Sequence, residues 1–190
     1  NKKMDESTIR LIAYLIADGR LRGKVGFTKS DPDIQQDFER CVEALGCRVK
    51  WYGIEAEVYN SEENAGKHGK NYVEKLAKEI GLWNTLSPDK RIPASVFQLP
   101  KEDLALFLRV LFTCDGWVNN STSDPQVGFA VASEILARQV QSLLSRFGIV
   151  SKLTFTKNDK QGSWTVSIGD WENMTRFSEE IGFMFRKQET

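Results

Sequence analysis

Two acidic residues end apolar segments that otherwise have the composition of buried helices. The stretch LIAYLIADGR reaches Asp18-Gly19, and FLRVLFTCDGW reaches Asp115-Gly116. A helix C-terminus carries partial negative charge, so an exposed Asp there is unfavourable by ~0.3–1 kcal/mol. If two such helices lie side by side, their carboxylates and last carbonyls require a cation, and these oxygen ligands suit Mg²⁺. The alternative is that each Asp-Gly only ends a helix, with Gly as a left-handed cap.

The elements that position these acids occur twice. Val25-Gly26-Phe27 recurs as Val127-Gly128-Phe129, and Glu79-Ile80-Gly81 recurs as Glu180-Ile181-Gly182. Two copies favour a pseudo-symmetric pair over a solenoid, which needs at least ~3 repeats. We therefore predict two half-domains, 1–97 and 98–190.

Hydrophobic periodicity predicts the same order of elements in each copy. In the first copy, helices are expected over 7–17, from 31, and over 72–80, with a strand at 21–29 and a hairpin at 48–59; Ser7 is the expected first N-cap. In the second copy, helices are expected over 101–114, 134–147 and 171–181, with a strand at 127–131 and a hairpin of 150–157 with 163–168. Each unit is thus α-β-α-β-β-α. The class is α+β, with helices covering one face of an antiparallel sheet.

One face of the predicted strands is polar. It could be only the solvated side of the sheets, or it could bind phosphates and read base edges. The candidate residues for the second interpretation are Arg20, Arg22, Lys24, Thr28, Lys29, Arg48, Lys50, Tyr52, Lys152, Thr154, Thr156, Lys157, Lys160, Thr165 and Ser167. Acidic residues on the outer helices would account for a net charge of +0 beside a basic strand face.

Composition excludes several other classes of site. The single His68 lies in a polar segment, so a histidine-based metal site or catalytic triad is not expected. The three cysteines have no zinc-like spacing and are expected to be reduced thiols. No apolar run reaches the ~18 residues of a membrane span, and no secretion signal is visible. The expected location is therefore the cytoplasm, or an organellar stroma or matrix.

LIAYLIADG and LRVLFTCDG resemble two copies of the motif of LAGLIDADG homing endonucleases. Lys90-Arg91-Ile92-Pro93, which precedes the second copy, is similar to the endonuclease domains of inteins. The resemblance covers nearly the whole chain. It implies a monomer in which two packed motif helices join the half-domains, and in which the sheets form a saddle over double-stranded DNA.

The same resemblance assigns roles to individual residues. It implies that Asp18 and Asp115, with the carbonyls of Ala17 and Cys114 beside them, hold two or three divalent ions, expected to be Mg²⁺. It implies that Lys90 assists catalysis near the water or phosphate. Its partner in the second half is either Lys187 or Lys157, with Lys187 preferred. The implied activity is hydrolysis of both DNA strands at a long asymmetric site.

The resemblance leaves alternatives open. The small residue at which the motif helices cross is Ala13 in one copy and Val110 in the other, and Ile16 and Thr113 replace an internal acid. The same fold could serve as a non-cleaving DNA-binding regulator or an RNA maturase, and an unrelated α+β binding module would share only its class. The chain ends show no splicing residues, so we expect an endonuclease domain, excised from an intein or free-standing, that does not splice.

Overall fold

A computed structural model describes residues 4–60, 71–157 and 162–185. The chain divides into two compact units. The first comprises the described residues of 1–85 together with 93–103, and the second comprises 86–92 together with the described residues of 104–190. The linking segment therefore packs first with the second unit and then with the first. The expected domain boundary between residues 97 and 98 stays a prediction.

The first unit is a four-stranded antiparallel sheet with three helices. In chain order its elements are α1 (Glu6–Asp18), β1 (Gly19–Arg22), β2 (Lys24–Thr28), α2 (Pro32–Ala44), β3 (Cys47–Tyr52), β4 (Glu55–Asn60) and α3 (Tyr72–Glu79). The strand order is β1-β2-β4-β3. The central strands β2 and β4 pair with Phe27 opposite Ala56, and both residues are buried.

The second unit repeats this arrangement. Its elements are α4 (Lys101–Asp115), whose first three residues pack with the first unit, β5 (Gly116–Asn119), β6 (Gln126–Val131), α5 (Glu134–Ser145), β7 (Lys152–Lys157), β8 (Gly162–Ile168) and α6 (Trp171–Glu180). The strand order is β5-β6-β8-β7. Short 3₁₀ turns at Ser87–Asp89 and Val96–Gln98 lie in the linking segment. The predicted α+β class, with helices packed on antiparallel sheets, is confirmed.

Each sheet has one strand more than the sequence pattern predicted. The expected strand 21–29 is a hairpin of β1 and β2 that turns at Gly23, whose φ is +71°. This hairpin pairs Arg22 with Lys24, so even-numbered residues lie on one face of both strands and odd-numbered residues on the other. The alternation of polar and apolar side chains therefore continues through the turn. In the second unit, β5 follows α4 directly and was also not predicted. Each unit is therefore α-β-β-α-β-β-α.

Local chemistry accounts for most helix ends. The N-cap of α1 is Asp5 rather than the predicted Ser7, and its carboxylate accepts the Thr8 N–H at 2.9 Å. The Asp31 carboxylate caps α2, which begins at the next residue. Four glycines at repeated positions after helices adopt left-handed backbone, which only glycine takes cheaply; they are Gly46, Gly81, Gly148 and Gly182.

Each unit has its own aromatic core. In the first unit, Phe27 stacks on Phe38 with ring centroids 4.2 Å apart, and the Tyr14 ring meets both edge-on. The Tyr14 hydroxyl donates to the buried Asp37 carboxylate at 2.7 Å, and Arg10 pairs with the same carboxylate at 3.0 Å. Burial of a charged group is tolerated here because both its oxygens have donors.

In the second unit, the core centres on Phe112 of α4, whose ring lies 5.3 Å from that of Phe129 and 4.9 Å from that of Phe177. Among the helices in the described part of the chain, none is long and apolar enough to cross a membrane.

Candidate metal and nucleic-acid site

Both Asp-Gly pairs lie where a buried helix passes directly into a strand. Asp18 is the last residue of α1 and Gly19 the first of β1; Asp115 and Gly116 stand in the same relation between α4 and β5. Gly19 has φ −73° and ψ 132°, so it is extended and not the left-handed cap of the alternative in which Asp-Gly only ends the helix. The strand therefore fixes the backbone immediately after the carboxylate.

Glycine is required at these junctions for close approach. A Cβ on Gly19 would lie 2.4 Å from the carbonyl oxygen of Leu15, and one on Gly116 would lie 2.5 Å from that of Phe112. In both units the strand thus begins in contact with the preceding helical turn. Sterics therefore explain why a glycine recurs in each Asp-Gly pair. They do not explain why an acid precedes it, so the reason for the acid has to be chemical.

In the first unit, the Asp18 carboxylate binds a cation from its own chain. The Lys29 ammonium lies 2.6 Å from its Oδ2 atom, and the two side chains are 19% and 27% exposed respectively. The backbone of Lys29 is fixed on both sides, because its N–H donates to Ile54 O at 3.0 Å and its C=O accepts from Gln35 Nε2 at 2.6 Å. Lys29 was predicted to contact DNA; that role stays a prediction, but its ammonium is directed at Asp18.

Lys90, the predicted catalytic lysine, belongs to the second unit, as Asp115 does. Lys90 is 5% exposed, and its carbonyl accepts a 2.7 Å hydrogen bond from the buried Ser133 hydroxyl. Ser133 is also the N-cap of α5, accepting the Leu136 N–H at 3.1 Å. One hydroxyl therefore fixes the segment that carries Lys90 to the start of a helix.

The last turn of α4 also holds the C-terminal segment. The Thr113 hydroxyl donates to Arg109 O at 2.7 Å and accepts the Met184 N–H at 2.9 Å. The residue in the position of the motif's internal acid is thus a structural hydroxyl. The predicted catalytic Lys187 lies outside the described residues.

The donor atoms fit a divalent ion whose coordination is completed from elsewhere. Carboxylate and backbone carbonyl oxygens are suitable Mg²⁺ ligands, and the ammonium on Asp18 shows that this carboxylate accepts a cation. Within residues 4–60, 71–157 and 162–185, no group of three or more His, Cys, Asp and Glu side chains is arranged to hold a metal. Ala17 and Cys114, the predicted carbonyl donors, precede the acids in the last helical turns.

The register of the first sheet brings its predicted DNA-binding residues to one face. Seven of them are exposed, namely Arg20, Arg22, Lys24, Thr28, Arg48, Lys50 and Tyr52. Strand β4 places Glu55 and Glu57 on the same face, since Glu57 pairs with both Gly26 and Lys50. These two acids were not among the predicted site residues.

Glu57 connects the cations of this face. Its carboxylate accepts from Lys24 Nζ at 3.0 Å, lies 3.7 Å from Arg20 Nη2 and accepts from the Tyr59 hydroxyl. The hydrogen bond from Tyr59, followed by that from Lys24, holds the pKa of Glu57 below its usual range. The carboxylate is therefore ionised at neutral pH and fixes two of the basic side chains in place.

The face of the second sheet is less charged and rich in hydroxyl groups. Its register pairs Lys152 with Ser167 and Thr154 with Thr165, and the exposed Thr156 lies on the same face. These positions agree with the predicted face, whereas the exposed Lys157, one residue further along β7, lies on the opposite face. Lys160, the remaining candidate, lies outside the described residues, as does the loop after Asn60.

The repeated Val-Gly-Phe sequence has a structural reason on these faces. A Cβ on Gly26 would lie 2.9 Å from the Arg20 guanidinium, and one on Gly128 would lie 2.2 Å from the Trp117 ring. In each unit, glycine on the second strand leaves room for a side chain of the first strand to lie across the sheet. Trp117, half-buried on this face, was not among the predicted site residues, and the repeat was the signal that could have located it.

Comparison with known proteins identifies the class of fold. Residues 102–182 match the sequence model of the LAGLIDADG-like domain. The whole chain has the LAGLIDADG fold, which confirms the resemblance inferred from the two motifs.

Two LAGLIDADG proteins of known structure are among those that the fold resembles. The N-terminal LAGLIDADG domain of DUF199/WhiA superposes with a TM-score of 0.63 at 16% identity, covering 97% of this chain and 86% of that one. The homing endonuclease I-DmoI in complex with DNA and Mn superposes with a TM-score of 0.55 at 11% identity, covering 93% and 96%. At these identities, the likeness is one of fold.

The chain is similar in sequence to segments of three different proteins. The replicative DNA helicase DnaB of Rhodothermus marinus is 28% identical over 202 residues, covering 97% of this chain and 21% of the helicase. The replication factor C small subunit of Thermococcus kodakarensis is 29% identical over 93% of this chain and 20% of that protein. RecA of Mycobacterium tuberculosis is 30% identical over 90% and 24%. The chain spans about a fifth of the length of the first relatives it matches.

Proposed function

We propose that this chain is a site-specific endonuclease that hydrolyses both strands of DNA with divalent metal ions, expected to be Mg²⁺. The observation that carries the proposal is the repeated junction, at which a buried helix ends on a carboxylate and a glycine admits the strand that follows. Structural glycines alone would not require an acid before each of them. Two carboxylates at corresponding positions are what metal-assisted hydrolysis of two strands needs as a minimum.

Each residue has a proposed role in this reaction. Asp18 and Asp115, with the carbonyls of Ala17 and Cys114, would hold the ions, and DNA oxygens would complete the coordination. A divalent ion supplies Lewis acidity that activates water and stabilises the leaving oxygen. Lys90 would stabilise charge that develops on the phosphate.

The strand faces support a DNA substrate. Their lysines and arginines can neutralise phosphates, and their hydroxyl groups can read base edges. I-DmoI, which shares the fold, was crystallised in complex with DNA and Mn. The second catalytic lysine is proposed to be Lys187, with Lys157 as the alternative, and the protein is proposed to act as a monomer.

The relatives support an origin as an inserted domain. One segment resembles about a fifth of a helicase and of a replication factor subunit, and about a quarter of RecA. Such a distribution is expected for an element that resides inside different hosts, as the resemblance to intein endonuclease domains implies. We therefore propose an endonuclease domain of the intein type.

A non-cleaving DNA-binding protein is the second candidate. The observation that favours it is the ion pair of Lys29 with Asp18, because this carboxylate is already neutralised without a metal. On this alternative the helix-end acid is structural, and the strand faces retain their DNA-binding role.

The test is selection followed by cleavage. Duplexes would be selected from a randomised DNA library by binding in Ca²⁺, and then incubated with Mg²⁺ or with EDTA. We expect double-strand cutting only with Mg²⁺, and its loss in Asp18→Asn and in Asp115→Asn with binding retained. Asp33→Asn, which changes an exposed acid in the first turn of α2, is the matched control and should cut normally.

Other outcomes identify other functions. Duplex binding without cutting in Mg²⁺ or Mn²⁺ would favour the non-cleaving regulator. Binding of structured RNA in preference to duplex DNA would favour a maturase. A protein that binds neither nucleic acid would contradict the proposal altogether.

A further inference from the structure

We propose that Lys29 is a resident counter-ion that occupies the metal-binding carboxylate of Asp18 in the DNA-free protein and competes there with the divalent ion. This inference rests on the proposed function only for the identity of Asp18 as a metal ligand. It concerns how that ligand is kept before metal and substrate arrive.

The contact is specific and partly shielded. The Lys29 ammonium lies 2.6 Å from Asp18 Oδ2, within the range of a strong charge-assisted hydrogen bond. Both side chains are less than one-third exposed, so solvent and salt screen this pair less than an ion pair on the open surface.

The backbone around Lys29 explains why the ammonium is available at this place. Its N–H is bonded to Ile54, in the turn between β3 and β4, and its C=O to the Gln35 side chain of α2. Because two elements fix the main chain, only the side chain has to be ordered to reach Asp18. The cost in conformational entropy is correspondingly small.

The position is also electrostatically suited to a cation. Asp18 ends α1, where the helix carbonyls add partial negative charge to that of the carboxylate. An ammonium here therefore offsets both charges. A divalent ion that binds the same oxygen has to displace it or share the carboxylate with it.

In the second unit, the position that corresponds to Lys29 is not a lysine. Gly19 pairs with Phe27 and Gly116 pairs with Phe129, so the residue two places after the phenylalanine is Lys29 in one unit and Val131 in the other. Valine has no charge to offer to Asp115. The side chain at this position therefore cannot serve as a counter-ion to Asp115, as Lys29 does to Asp18.

The test measures Mn²⁺ binding to the DNA-free protein by the electron paramagnetic resonance signal of free Mn²⁺. Lys29→Met should bind Mn²⁺ about fivefold more tightly than the wild type, which corresponds to the ~1 kcal/mol of an ion pair. A merely structural lysine would leave the affinity unchanged or weaken it. Lys29→Arg, which keeps the charge, should retain the wild-type affinity.

Lys78→Met is the matched control. It also removes a lysine paired with a carboxylate in the first unit, that of Glu74, and should leave Mn²⁺ affinity unchanged. Asp18→Asn combined with Lys29→Met should lose the gain. Equal affinity in Lys29→Met and the wild type, including no binding in either, would overturn the inference.

Failure of the inference and failure of the proposed function give different results. Metal-dependent cutting that requires Asp18, together with unchanged Mn²⁺ affinity in Lys29→Met, overturns only the competition. Tighter Mn²⁺ binding in Lys29→Met without any DNA cleavage overturns the nuclease and leaves the competition supported.

Discussion

Replacement of Gly19 by alanine tests whether the junction after Asp18 is sterically fixed. The new Cβ would lie 2.4 Å from Leu15 O, whereas ordinary van der Waals contact begins at 3.4 Å. The strand and the helix would therefore have to move apart by about 1 Å at this point. The obstructing atoms belong to helix backbone, and residues 11–16 of α1 are all buried. Overpacking of this kind costs ~1–3 kcal/mol, against ~0.4–1 kcal/mol gained from a stiffer unfolded chain. We expect a net loss of ~1–2 kcal/mol in the free energy of unfolding.

Urea denaturation measures this loss, and Gly23→Ala provides the comparison. Gly23 has φ +71° and nothing within 4 Å of a built Cβ, so alanine there costs ~1–2 kcal/mol through backbone conformation alone. The two variants should be similarly destabilised. Only Gly19→Ala should also displace Asp18, and a misplacement of ~1 Å at a catalytic group can cost ~10²-fold in rate.

Two results would refute this reasoning separately. If Gly19→Ala unfolds at the wild-type urea concentration, the clash is not real, whatever the protein does to DNA. If it is destabilised but cuts selected DNA as fast as Gly23→Ala, the junction does not position a catalytic carboxylate.

Three further predictions concern the core, a helix cap and a thiol. Tyr14→Phe removes a donor from the buried Asp37 carboxylate and should cost ~1–3 kcal/mol in urea denaturation. The Asn173 backbone N–H and then its side chain hold the pKa of Asp170 below its usual range. Asp170→Ala should therefore lower the free energy of unfolding at pH 7. In urea titrations, the difference in unfolding free energy between wild type and variant should narrow as pH falls below about 4. Burial, and then the charge of Asp37, raises the pKa of Cys41 to about 12, so mass spectrometry should find this thiol alkylated by iodoacetamide only after unfolding.

The sequence was sufficient for those features that depend on period and repetition. Helical spacing and the Val-Gly-Phe repeat indicated two similar units, and left-handed glycines at Gly46 and Gly148 agree with that repeat. The strands β1 and β5 were missed because each has only four residues. In the first unit, the turn at Gly23 also preserves the alternation that separates strand faces.

The contacts that depend on sheet register were beyond the sequence pattern. Lys29 reaches Asp18 only because β1 and β2 fold back on each other, which brings together residues that one long strand would have held apart. Glu57 joins Lys24 only because β4, rather than β3, pairs with β2. A period-two pattern reports which face a side chain occupies and not which strand lies next to it.

The two units are alike in backbone and differ at the position that Lys29 occupies in the first unit. An apolar helix that ends on an acid has to offset both the carboxylate and its own terminal carbonyls. At Asp18 the chain supplies an ammonium for this purpose, whereas the corresponding residue in the second unit is Val131. Since glycine at each junction is explained by a helical carbonyl less than 3 Å from a built Cβ, sterics account for the symmetry of the Asp-Gly pairs. The acids require a separate cause, and we propose that each is kept as a ligand for a divalent ion.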